Sequence, residues 1–567
     1  MKAAGDGTVD AAWGNSGARR WDGLATLRKA VLVRPMGSVD AAAEAGRAGG
    51  AGAGEADNGC VAADGAVLGG EECVLLQVAR SGTPKVVRGV AAVARWRAVA
   101  AWEPAYLASH VAARRLPAVR MARGPVMRYY NALRDGASFQ DMPAVAAAHA
   151  ASAYRVDDVP KDAFFASLRM GGGEGSDGGE GSDGGEPEEP RIDDSGTWAY
   201  YGNSLQALGP VLMGDVEPVD QFVVRNATYD PATAHGFRKT QMWIGRNGTV
   251  TPLHYDSSYN FHVVVAGRKT AVVFPPSAWS ALGLFPHLHP RAKQARTELY
   301  YPGAGRVAPS AAERRALGGV MGFEAELEAG DVLAIPPFWG HAFITTSPVA
   351  ISVNVWTNYL DIHLLPQIMA VPIPMIRADP ASPAAVLSMR LFIRVLVAIA
   401  HDGNGDDTFF RSLYDQRYAP VAHELSWAAN VAANASSSIS DAAINGQAAA
   451  ASDGTRPPRT TRTFCEEALS AMPPATCRAS WLREGDDAAA VCDGPDLAAD
   501  ELFATLRHPF IETASTIKSL IDDAVPGGVR SSSGLIVLGN VVETLALTAV
   551  DGDVYDVAPF LHDLAYC

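Results

Sequence analysis

Cysteine and basic residues are both scarce in this chain of 567 residues. Its 6 cysteines include no Cys-x-x-Cys pair and no dense spacing, which argues against a zinc-binding module and against a scaffold held by disulfides. Only 47 Lys and Arg residues stand against 62 Asp and Glu residues, so the formal net charge is -15. We therefore expect no broad nucleic-acid-binding surface, although a local basic groove stays open.

Long uninterrupted hydrophobic runs are missing as well. The two most apolar segments, 391–400 and 534–550, are interrupted by Arg394 and Glu543 and are short for a membrane span. The N-terminus carries acidic residues and has no apolar run before a cleavage site, so no secretory signal is expected. These absences predict a protein that does not span a membrane and lies in the cytoplasm or the nucleus. The basic segment 19–34 leaves organellar targeting as an open alternative.

The clearest structural pattern lies between residues 191 and 380. Short β-branched runs alternate there with Gly, Pro, Asn and Asp, which is typical of an all-β sandwich or barrel. Segments rich in Gly, Ala and acidic residues elsewhere cannot bury enough apolar surface to offset the entropy of ordering. The apolar run 73–78 predicts the first strand. We predict five regions: a low-complexity N-terminal region without order (1–72), strands and helices flanking the barrel (73–170), a Gly/Glu/Ser/Asp-rich acidic linker (171–190), a catalytic barrel (191–380), and a helical C-terminal extension with a polar disordered stretch (381–567).

Three side chains of the barrel region make a metal-ligand pattern. His254 and Asp256 lie two residues apart in Thr-Pro-Leu-His-Tyr-Asp, so on an extended strand both project from the same face. Such a pair is common by chance and alone would favour a surface hydrogen bond. Downstream, the apolar run Val-Leu-Ala-Ile ends at two prolines and is followed by Phe-Trp-Gly and His341. Two imidazoles and one carboxylate form the facial triad of non-haem iron(II) oxygenases, which predicts a metal site of His254, Asp256 and His341.

The stretch from 241 to 356 resembles the JmjC and cupin-like hydroxylases, in particular the asparaginyl hydroxylase that acts on hypoxia-inducible factor. The shared pattern is Thr-Pro-x-His-Tyr-Asp, an Asn four residues after the Asp, and a Lys before a strand that ends in Phe-Pro-Pro. The resemblance implies a mainly β fold with a double-stranded β-helix (jelly-roll) core, flanking helices and the helical C-terminal extension. It also implies iron(II) as the metal and 2-oxoglutarate as the co-substrate, which would be oxidatively decarboxylated to succinate and carbon dioxide.

The same resemblance assigns side chains to the co-substrate. Lys269 and Thr251 match the pair that binds the far carboxylate of 2-oxoglutarate. A dicarboxylate inside a barrel needs a fixed cation, whereas without the motif Lys269 would be read as a solvated strand-end residue. Asn260 and Asn354 match amides that line the co-substrate site, and Tyr200 matches a tyrosine that touches the co-substrate. The resemblance predicts no catalytic residue beyond the metal ligands.

Four residues depart from the shared pattern or invite another interpretation. His262 stands where the related hydroxylase has an aromatic residue lining the co-substrate pocket, and Trp243 replaces a nearby Leu. These changes could alter the shape of the pocket without removing the metal site. His287 and His289 form a His-x-His between two prolines, in a segment that resembles a family loop without a ligand role. We expect a structural role for both histidines.

The predicted function is an iron(II)- and 2-oxoglutarate-dependent oxygenase that hydroxylates a side chain in a polypeptide. The hydroxylase-like run from Thr251 to Lys269 favours this function. Three alternatives stay open: an N-methyl-lysine demethylase with the same chemistry, a small-molecule hydroxylase, and a non-catalytic cupin scaffold. The intact ligand set and Lys269 count against the scaffold. The expected partner is a polypeptide substrate, with no nucleic acid and no membrane, and the C-terminal helices would allow a homodimer.

Overall fold

The computed structural model describes residues 32–36, 38–40, 75, 77–78, 81–130, 133–134, 137–138, 154–168, 197–217, 239–297, 315, 317–357, 360–373, 383–401, 406–421, 499–550, 552 and 554–566. The acidic linker predicted at 171–190 lies outside these residues. The polar stretch predicted within the C-terminal extension also lies outside them.

The described strands form two large sheets and one short hairpin. They are β1 (Leu32–Pro35), β2 (Ser38–Asp40), β3 (Lys85–Arg88), β4 (Arg115–Ala122), β5 (Leu133–Arg134), β6 (Ala137–Ser138), β7 (Arg155–Pro160), β8 (Trp198–Ser204), β9 (Lys239–Arg246), β10 (Val250–Tyr255), β11 (Tyr259–Ala266), β12 (Arg268–Phe274), β13 (Met321–Glu328), β14 (Val332–Ile335), β15 (Gly340–Thr345) and β16 (Val349–Thr357). One large sheet has the order β1-β13-β12-β15-β10, the other has β2-β3-β14-β11-β16-β9-β8-β4-β7, and β5 pairs with β6.

Strands β9 to β16 are the core of the molecule. They contribute four antiparallel strands to each large sheet, β13-β12-β15-β10 and β14-β11-β16-β9. Except for β12 and β13, which pair in one sheet, strands that are neighbours along the chain belong to opposite sheets, so the chain crosses between the sheets repeatedly. This is the topology of a double-stranded β-helix, and it confirms the predicted fold class.

The core strands turn an apolar face outward and a more polar face inward. On β11, Phe261, Val263 and Val265 join the hydrophobic cluster outside the nine-stranded sheet. The residues between them, including His262, face the other sheet. Strand β16 repeats this alternation, because its outward residues are apolar and its inward residues are Ser352, Asn354 and Trp356. Both sheets therefore bury apolar faces under helices, and the space between the sheets holds these polar side chains together with a smaller apolar cluster that includes Val264, Ala271 and Phe343.

Helices from the N-terminal half cover the outer face of the nine-stranded sheet. They are α1 (Ala91–Ala94), α2 (Arg97–Ala101), α3 (Pro104–His110), α4 (Lys161–Ser167) and α5 (Pro210–Gly214). Asp215 fixes this layer by accepting hydrogen bonds from Trp102 Nε1 at 3.0 Å and from the Tyr106 hydroxyl at 2.8 Å. The strand predicted at 73–78 is wrong at its described residues, since positions 75, 77 and 78 are helical. An apolar run of six residues does not separate a strand from a helix buried on one side.

Two short strands lie inside the region 1–72, for which composition predicts no order. Strand β1 pairs in parallel with β13, and β2 pairs in parallel with β3. At these residues the prediction is wrong, because each short strand pairs with the edge of a sheet, β1 with β13 of the barrel and β2 with the flanking strand β3. Backbone pairing of this kind leaves little trace in composition.

Helices that follow the barrel cover the outer face of the five-stranded sheet. With the short barrel helix α6 (Trp279–Leu282), they are α7 (Leu360–Met369), α8 (Pro383–Ala400), α9 (Asp406–Leu413), α10 (Ala499–Ala524), α11 (Ser532–Ala549) and α12 (Val554–Tyr566). One hydrophobic cluster joins residues of β10, β12 and β15 to Phe392, Ile517, Leu538 and Phe560 of these helices. The predicted helical extension is thus packed against the barrel as part of a common core.

Helix α11 is long and apolar enough to cross a membrane by length and composition, and 72% of that helix is buried inside the protein. Its single acidic residue, Glu543, accepts hydrogen bonds from Arg417 Nη1 at 2.7 Å, from the Tyr418 hydroxyl at 2.8 Å and from the backbone N–H of His287 at 2.5 Å. These contacts join the barrel segment that contains His287, and the segment that contains Arg417 and Tyr418, to helix α11. Helix α11 therefore serves as a core helix of this fold.

Candidate active site

The three predicted metal ligands meet between the two sheets. His254 on β10 lies directly opposite His341 on β15, and their ring centroids are 4.3 Å apart. Asp256 follows the last residue of β10, one position beyond the strand on which the sequence places it. One ligand atom from each of the three residues lies within 4.8 Å of the others. Two imidazole nitrogens and a carboxylate at this spacing fit a divalent transition-metal ion.

Hydrogen bonds orient both imidazoles for metal binding. Nδ1 of His254 lies 2.8 Å from the Pro252 carbonyl oxygen, and Nδ1 of His341 lies 3.0 Å from the Trp339 carbonyl oxygen. A carbonyl oxygen only accepts, so each Nδ1 must carry the proton and each Nε2 presents a lone pair. Burial, together with the nearby His341, lowers the pKa of His254 to about 4. The ring is therefore neutral at pH 7, as a metal ligand must be.

The carboxylate of Asp256 is held by two donors on the opposite sheet. Asn260 Nδ2 donates to Asp256 Oδ2 at 2.9 Å, and Trp356 Nε1 donates to the same oxygen at 2.8 Å. Burial alone would raise the pKa of Asp256, but its contacts with His341, with His254 and with Trp356 keep it well below its usual value. The carboxylate is thus ionised, and Oδ1 stays available to an ion.

A tight turn before β15 sets the position of His341. Phe338 adopts a φ of 66°, a left-handed conformation that is uncommon for a residue with a side chain. Its N–H donates to the Asp256 carbonyl oxygen at 2.8 Å, and its own carbonyl accepts from Trp279 Nε1 at 3.0 Å. These two bonds fix the turn beside the metal site, and the strained residue lies next to two of the three ligands.

Lys269 is buried between the sheets, with only 1% of its surface exposed. Its Nζ donates to Ser352 Oγ at 2.7 Å and lies 5.9 Å from the centre of the Phe343 ring. Among the described residues no carboxylate forms an ion pair with it. Burial lowers the pKa of Lys269 to about 7. A buried ammonium with only a hydroxyl for a partner fits a bound carboxylate, which would supply the missing charge.

Thr251 and Tyr200 lie on the same side of the interior as Lys269. Thr251 on β10 is opposite Phe343, the ring that Lys269 Nζ approaches. The Tyr200 hydroxyl lies 3.4 Å from Thr251 Oγ1, and burial raises the pKa of Tyr200 to about 12. Tyr200 also stacks on Trp243 with ring centres 5.5 Å apart. The structure therefore brings Tyr200 next to Thr251, another residue predicted to bind the co-substrate.

A chain of side-chain amides links the metal site to the interior beyond it. Asn354 Nδ2 donates to Asn260 Oδ1 at 2.7 Å, and Asn260 donates in turn to Asp256. Across from Asn354 on the neighbouring strand lies His262, whose ring stacks on Phe343 at 4.0 Å. Both amides predicted to line the site are thus brought into it.

Two histidines lie elsewhere, as the sequence predicts, and two site residues were not foreseen. His287 and His289 belong to no set of three metal-ligand side chains among the described residues. Ser352 and Trp356 were missed as partners of Lys269 and Asp256. The strand period would have found both, because they stand two residues before and after Asn354 on β16.

The fold and the ligand geometry define a jelly-roll domain with an interior metal-binding triad. A model of the cupin-like domain family matches residues 74–359, half of the chain. This chain belongs to the cupin-like domain family.

Known relatives match short parts of the chain. JmjC domain-containing protein D of Dictyostelium discoideum is 47% identical over 47 residues, or 8% of this chain and 10% of that protein. Jumonji C domain-containing protein 5 of Drosophila melanogaster is 28% identical over 155 residues, or 27% of this chain and 35% of that protein. Lysine-specific demethylase JMJ31 of Arabidopsis thaliana is 28% identical over 133 residues, or 23% of each protein. The chain covers little more than a third of any of these relatives.

Proposed function

We propose that this protein is an iron(II)- and 2-oxoglutarate-dependent oxygenase that hydroxylates a side chain of a polypeptide. The observation that carries the proposal is the pairing of a His-Asp-His triad with a buried lysine that has no carboxylate partner among the described residues. The triad fits iron(II), and Lys269 fits the distal carboxylate of 2-oxoglutarate. A scaffold without catalysis has no use for either group.

The residues of the chain divide the work of such a reaction. His254, Asp256 and His341 would hold iron(II) through two imidazole nitrogens and one carboxylate. Bound iron(II) with 2-oxoglutarate supplies the oxidation, in which one oxygen atom enters succinate, carbon dioxide leaves, and the other oxygen atom enters a C–H bond of the substrate. Lys269, Thr251 and Tyr200 would bind the distal end of the co-substrate.

The amide chain and the apolar shell would keep this geometry fixed. Asn260 and Trp356 prevent the Asp256 carboxylate from rotating away from the metal, since both donate to one of its oxygens. The helices packed on both outer faces would limit the entry of water through the sheets, which would strengthen charge interactions inside.

The choice of a polypeptide substrate rests on the resemblance of residues 251–269 to the hydroxylase branch. A demethylase acting on N-methyl-lysine is the second candidate, and similarity to the lysine-specific demethylase of Arabidopsis thaliana favours it. Both reactions begin by removing hydrogen from a carbon atom, so the metal site does not distinguish them. The side chains that line the substrate pocket must therefore decide between hydroxylation and demethylation.

Isotope labelling separates these functions. The protein is incubated with cell extract, iron(II), 2-oxoglutarate and ¹⁸O-labelled dioxygen, and peptides are searched for the label by mass spectrometry. We expect labelled oxygen in a side chain of a peptide, and none with the His341→Ala variant. Formaldehyde released from methylated histone peptides, without label in any peptide, would support the demethylase. Label found only in a small metabolite would keep the oxygenase and reject the polypeptide substrate.

A further inference from the structure

Arg120 is a partly buried cation on β4, outside the residues assigned to the metal and the co-substrate. It lies directly opposite Tyr200 of β8, whereas its neighbours Val119 and Met121 belong to the hydrophobic cluster outside the nine-stranded sheet. Successive side chains of a strand point to opposite faces of the sheet. Arg120 therefore projects from the face of the sheet that carries the candidate site.

Two aromatic rings hold the guanidinium of Arg120 in place. Its Cζ lies 4.6 Å from the centre of the Trp243 ring and 5.2 Å from the centre of the Tyr154 ring. Gly202 on β8 allows the contact with Trp243, because a Cβ atom there would lie only 1.6 Å from Arg120 Nη1 and 2.3 Å from the indole ring. Cation–π contacts of this kind orient a guanidinium and leave its N–H groups free to donate.

Among the described residues, no carboxylate forms an ion pair with Arg120, and its Nη1 is buried without a hydrogen-bond partner. The carboxylates of the neighbouring strand β7 are engaged elsewhere. Asp157 pairs with Arg155 at 2.7 Å, and Asp158 accepts a hydrogen bond from a backbone N–H of β4 at 3.2 Å. Burial raises the pKa of the adjacent Tyr200 to about 12, so its hydroxyl is not an anion either. A guanidinium with a buried, unpaired N–H indicates a place where an anion binds.

A row of aromatic rings connects Arg120 to the candidate metal site. The Trp243 ring, over which the guanidinium lies, contacts the edge of Trp356 with 6.2 Å between the ring centres. Trp356 Nε1 in turn donates to Asp256 Oδ2 at 2.8 Å. Two indole rings thus lie between Arg120 and a metal ligand, and an extended peptide advances by roughly 3.3 Å per residue. A side chain a few residues away from the reacting one can therefore reach the guanidinium.

We propose that Arg120 binds the carboxylate of an aspartate or glutamate in the polypeptide substrate and so helps to place a nearby residue at the metal. This inference rests on the proposed function and narrows its substrate class to acidic peptide segments. A guanidinium presents a planar fork of N–H donors that matches the two oxygens of a carboxylate. One arginine held between aromatic rings suits one such side chain, whereas a nucleic acid is bound through many contacts to its phosphates.

Two matched pools of peptides test this inference on the full chain. The protein is loaded with 2-oxoglutarate and with manganese(II), which resists oxidation, and is incubated with short randomised peptides. One pool contains Asp and Glu, and the other contains Asn and Gln in their place. Captured peptides are sequenced by mass spectrometry. Calorimetry then gives the affinity of an enriched acidic peptide and of its amide counterpart for each protein variant.

We expect the wild type to bind the acidic peptide about 10- to 100-fold more tightly than its amide counterpart, the effect of a hydrogen bond to a charged group. Arg120→Met removes the donors and should bind both peptides equally. Arg120→Lys keeps the charge without the planar fork and should keep part of the preference. Arg123→Met is the matched control, because Arg123 is exposed one residue beyond β4, and it should match the wild type. The affinity for 2-oxoglutarate should be the same in all four proteins.

The ratio of two affinities in the same protein separates recognition from stability, because it does not depend on the fraction of the protein that is folded. A purely structural arginine would give a lower melting temperature in Arg120→Met with the preference for the acidic peptide unchanged, and the inference would then be wrong. It is also wrong if the wild type shows no preference. Binding of a short single-stranded RNA that depends on Arg120, without capture of any peptide, would contradict it as well.

Replacing manganese(II) with iron(II) distinguishes failure of the inference from failure of the proposed function. If the wild type hydroxylates peptides of both pools equally well, the inference fails and the proposed function stands. If the acidic preference depends on Arg120 but no peptide takes up oxygen, the binding of acidic peptides by Arg120 is confirmed and the proposed function fails.

Discussion

Two buried clusters of charged residues in this molecule differ in how their charges are satisfied. Behind the barrel, both oxygens of Glu543 are paired, with Arg417 on one side and the Tyr418 hydroxyl and a backbone N–H on the other. Inside the barrel, Lys269 has the Ser352 hydroxyl and no carboxylate among the described residues. A charge that is fully paired in the ligand-free protein holds the structure together. A charge that is not paired marks a place for a ligand.

A second ion pair in the helical layer repeats the first pattern. Arg390 Nη2 donates to Asp563 Oδ2 at 2.5 Å, and the Asp563 side chain is fully buried. Like the Glu543 cluster, this pair joins segments that are far apart in the sequence, here α8 and α12. The helical layer thus pairs its buried charges across distant segments, whereas the barrel interior leaves Lys269 without a carboxylate among the described residues.

The largest effect should follow from His341→Ala, which removes one of the three candidate metal ligands inside the barrel. We expect iron(II) affinity to fall at least 100-fold and turnover to disappear, while the fold is retained. Anaerobic titration with iron(II), together with circular dichroism, measures both. His289→Gln, which changes a buried histidine outside the triad, should bind iron(II) normally. Equal affinity in the wild type and His341→Ala would place the metal elsewhere.

In the helical layer behind the barrel, Glu543→Ala should lower the free energy of unfolding by about 3–5 kcal/mol, because it leaves Arg417 as an unpaired buried charge. Denaturant unfolding checks this value. Glu512→Ala on α10 is the control, since its side chain is 62% exposed and its loss should change little. A small effect at Glu543 would mean that buried pairing does not hold this layer.

Lys269→Met should change protein stability and 2-oxoglutarate binding in opposite directions. We expect 2-oxoglutarate affinity to fall by about 2–4 kcal/mol, or roughly 30- to 1,000-fold, because a charge-assisted contact is lost. The ligand-free protein should become more stable, since a buried unpaired ammonium is replaced by an apolar chain of similar length. Calorimetry and thermal unfolding measure the two changes, with Lys518→Met at a partly exposed pair as the control. Loss of stability in Lys269→Met would contradict the contrast drawn between the two clusters.

The pH dependence of the stability of the ligand-free protein provides a further test of the unpaired charge at Lys269. The pKa of Lys269 falls from an ordinary value of 10.5 to about 7 on folding, so between these values the unfolded chain binds more protons than the folded one. Stability contributed by this site should therefore rise with pH over that interval, and 2-oxoglutarate affinity should fall, since the ligand needs the charged lysine. Thermal melts from pH 6 to 10 should show a slope that Lys269→Met reduces. An identical slope of melting temperature against pH in the variant would mean that Lys269 does not cause the pH dependence.

The smallest effect is expected from deletion of residues 171–190. Their repeated Gly-Glu-Gly-Ser-Asp-Gly composition predicts a linker with no means of building a rigid site. Turnover of 2-oxoglutarate by the deletion variant should equal that of the full chain. Loss of turnover with the fold intact would show that the segment contributes to the site.

The spacing of the motif residues predicted most of the candidate site inside the barrel. Hydrophobic periodicity alone predicted little of the structure outside the barrel. His254, Asp256 and His341 come together as predicted because their positions on paired strands follow from the turns around them. The strand period places Trp356 on the same face of β16 as Asn354, but its bond to Asp256 also depends on how the strands pair. Pairing of the short strand β1 and the Glu543 cluster depend on partners hundreds of residues away. Long-range partners of this kind cannot be read from neighbouring residues.

The central claim is that the interior is a joint site for a metal and a dicarboxylate. The most direct measurement mixes the wild-type protein anaerobically with iron(II) and 2-oxoglutarate, admits air, and quantifies succinate. We predict succinate that requires both additions, disappears in His341→Ala, and in Lys269→Met returns only at much higher 2-oxoglutarate concentrations. A folded wild-type protein that binds iron(II) but forms no succinate, with or without cell extract, would contradict the claim.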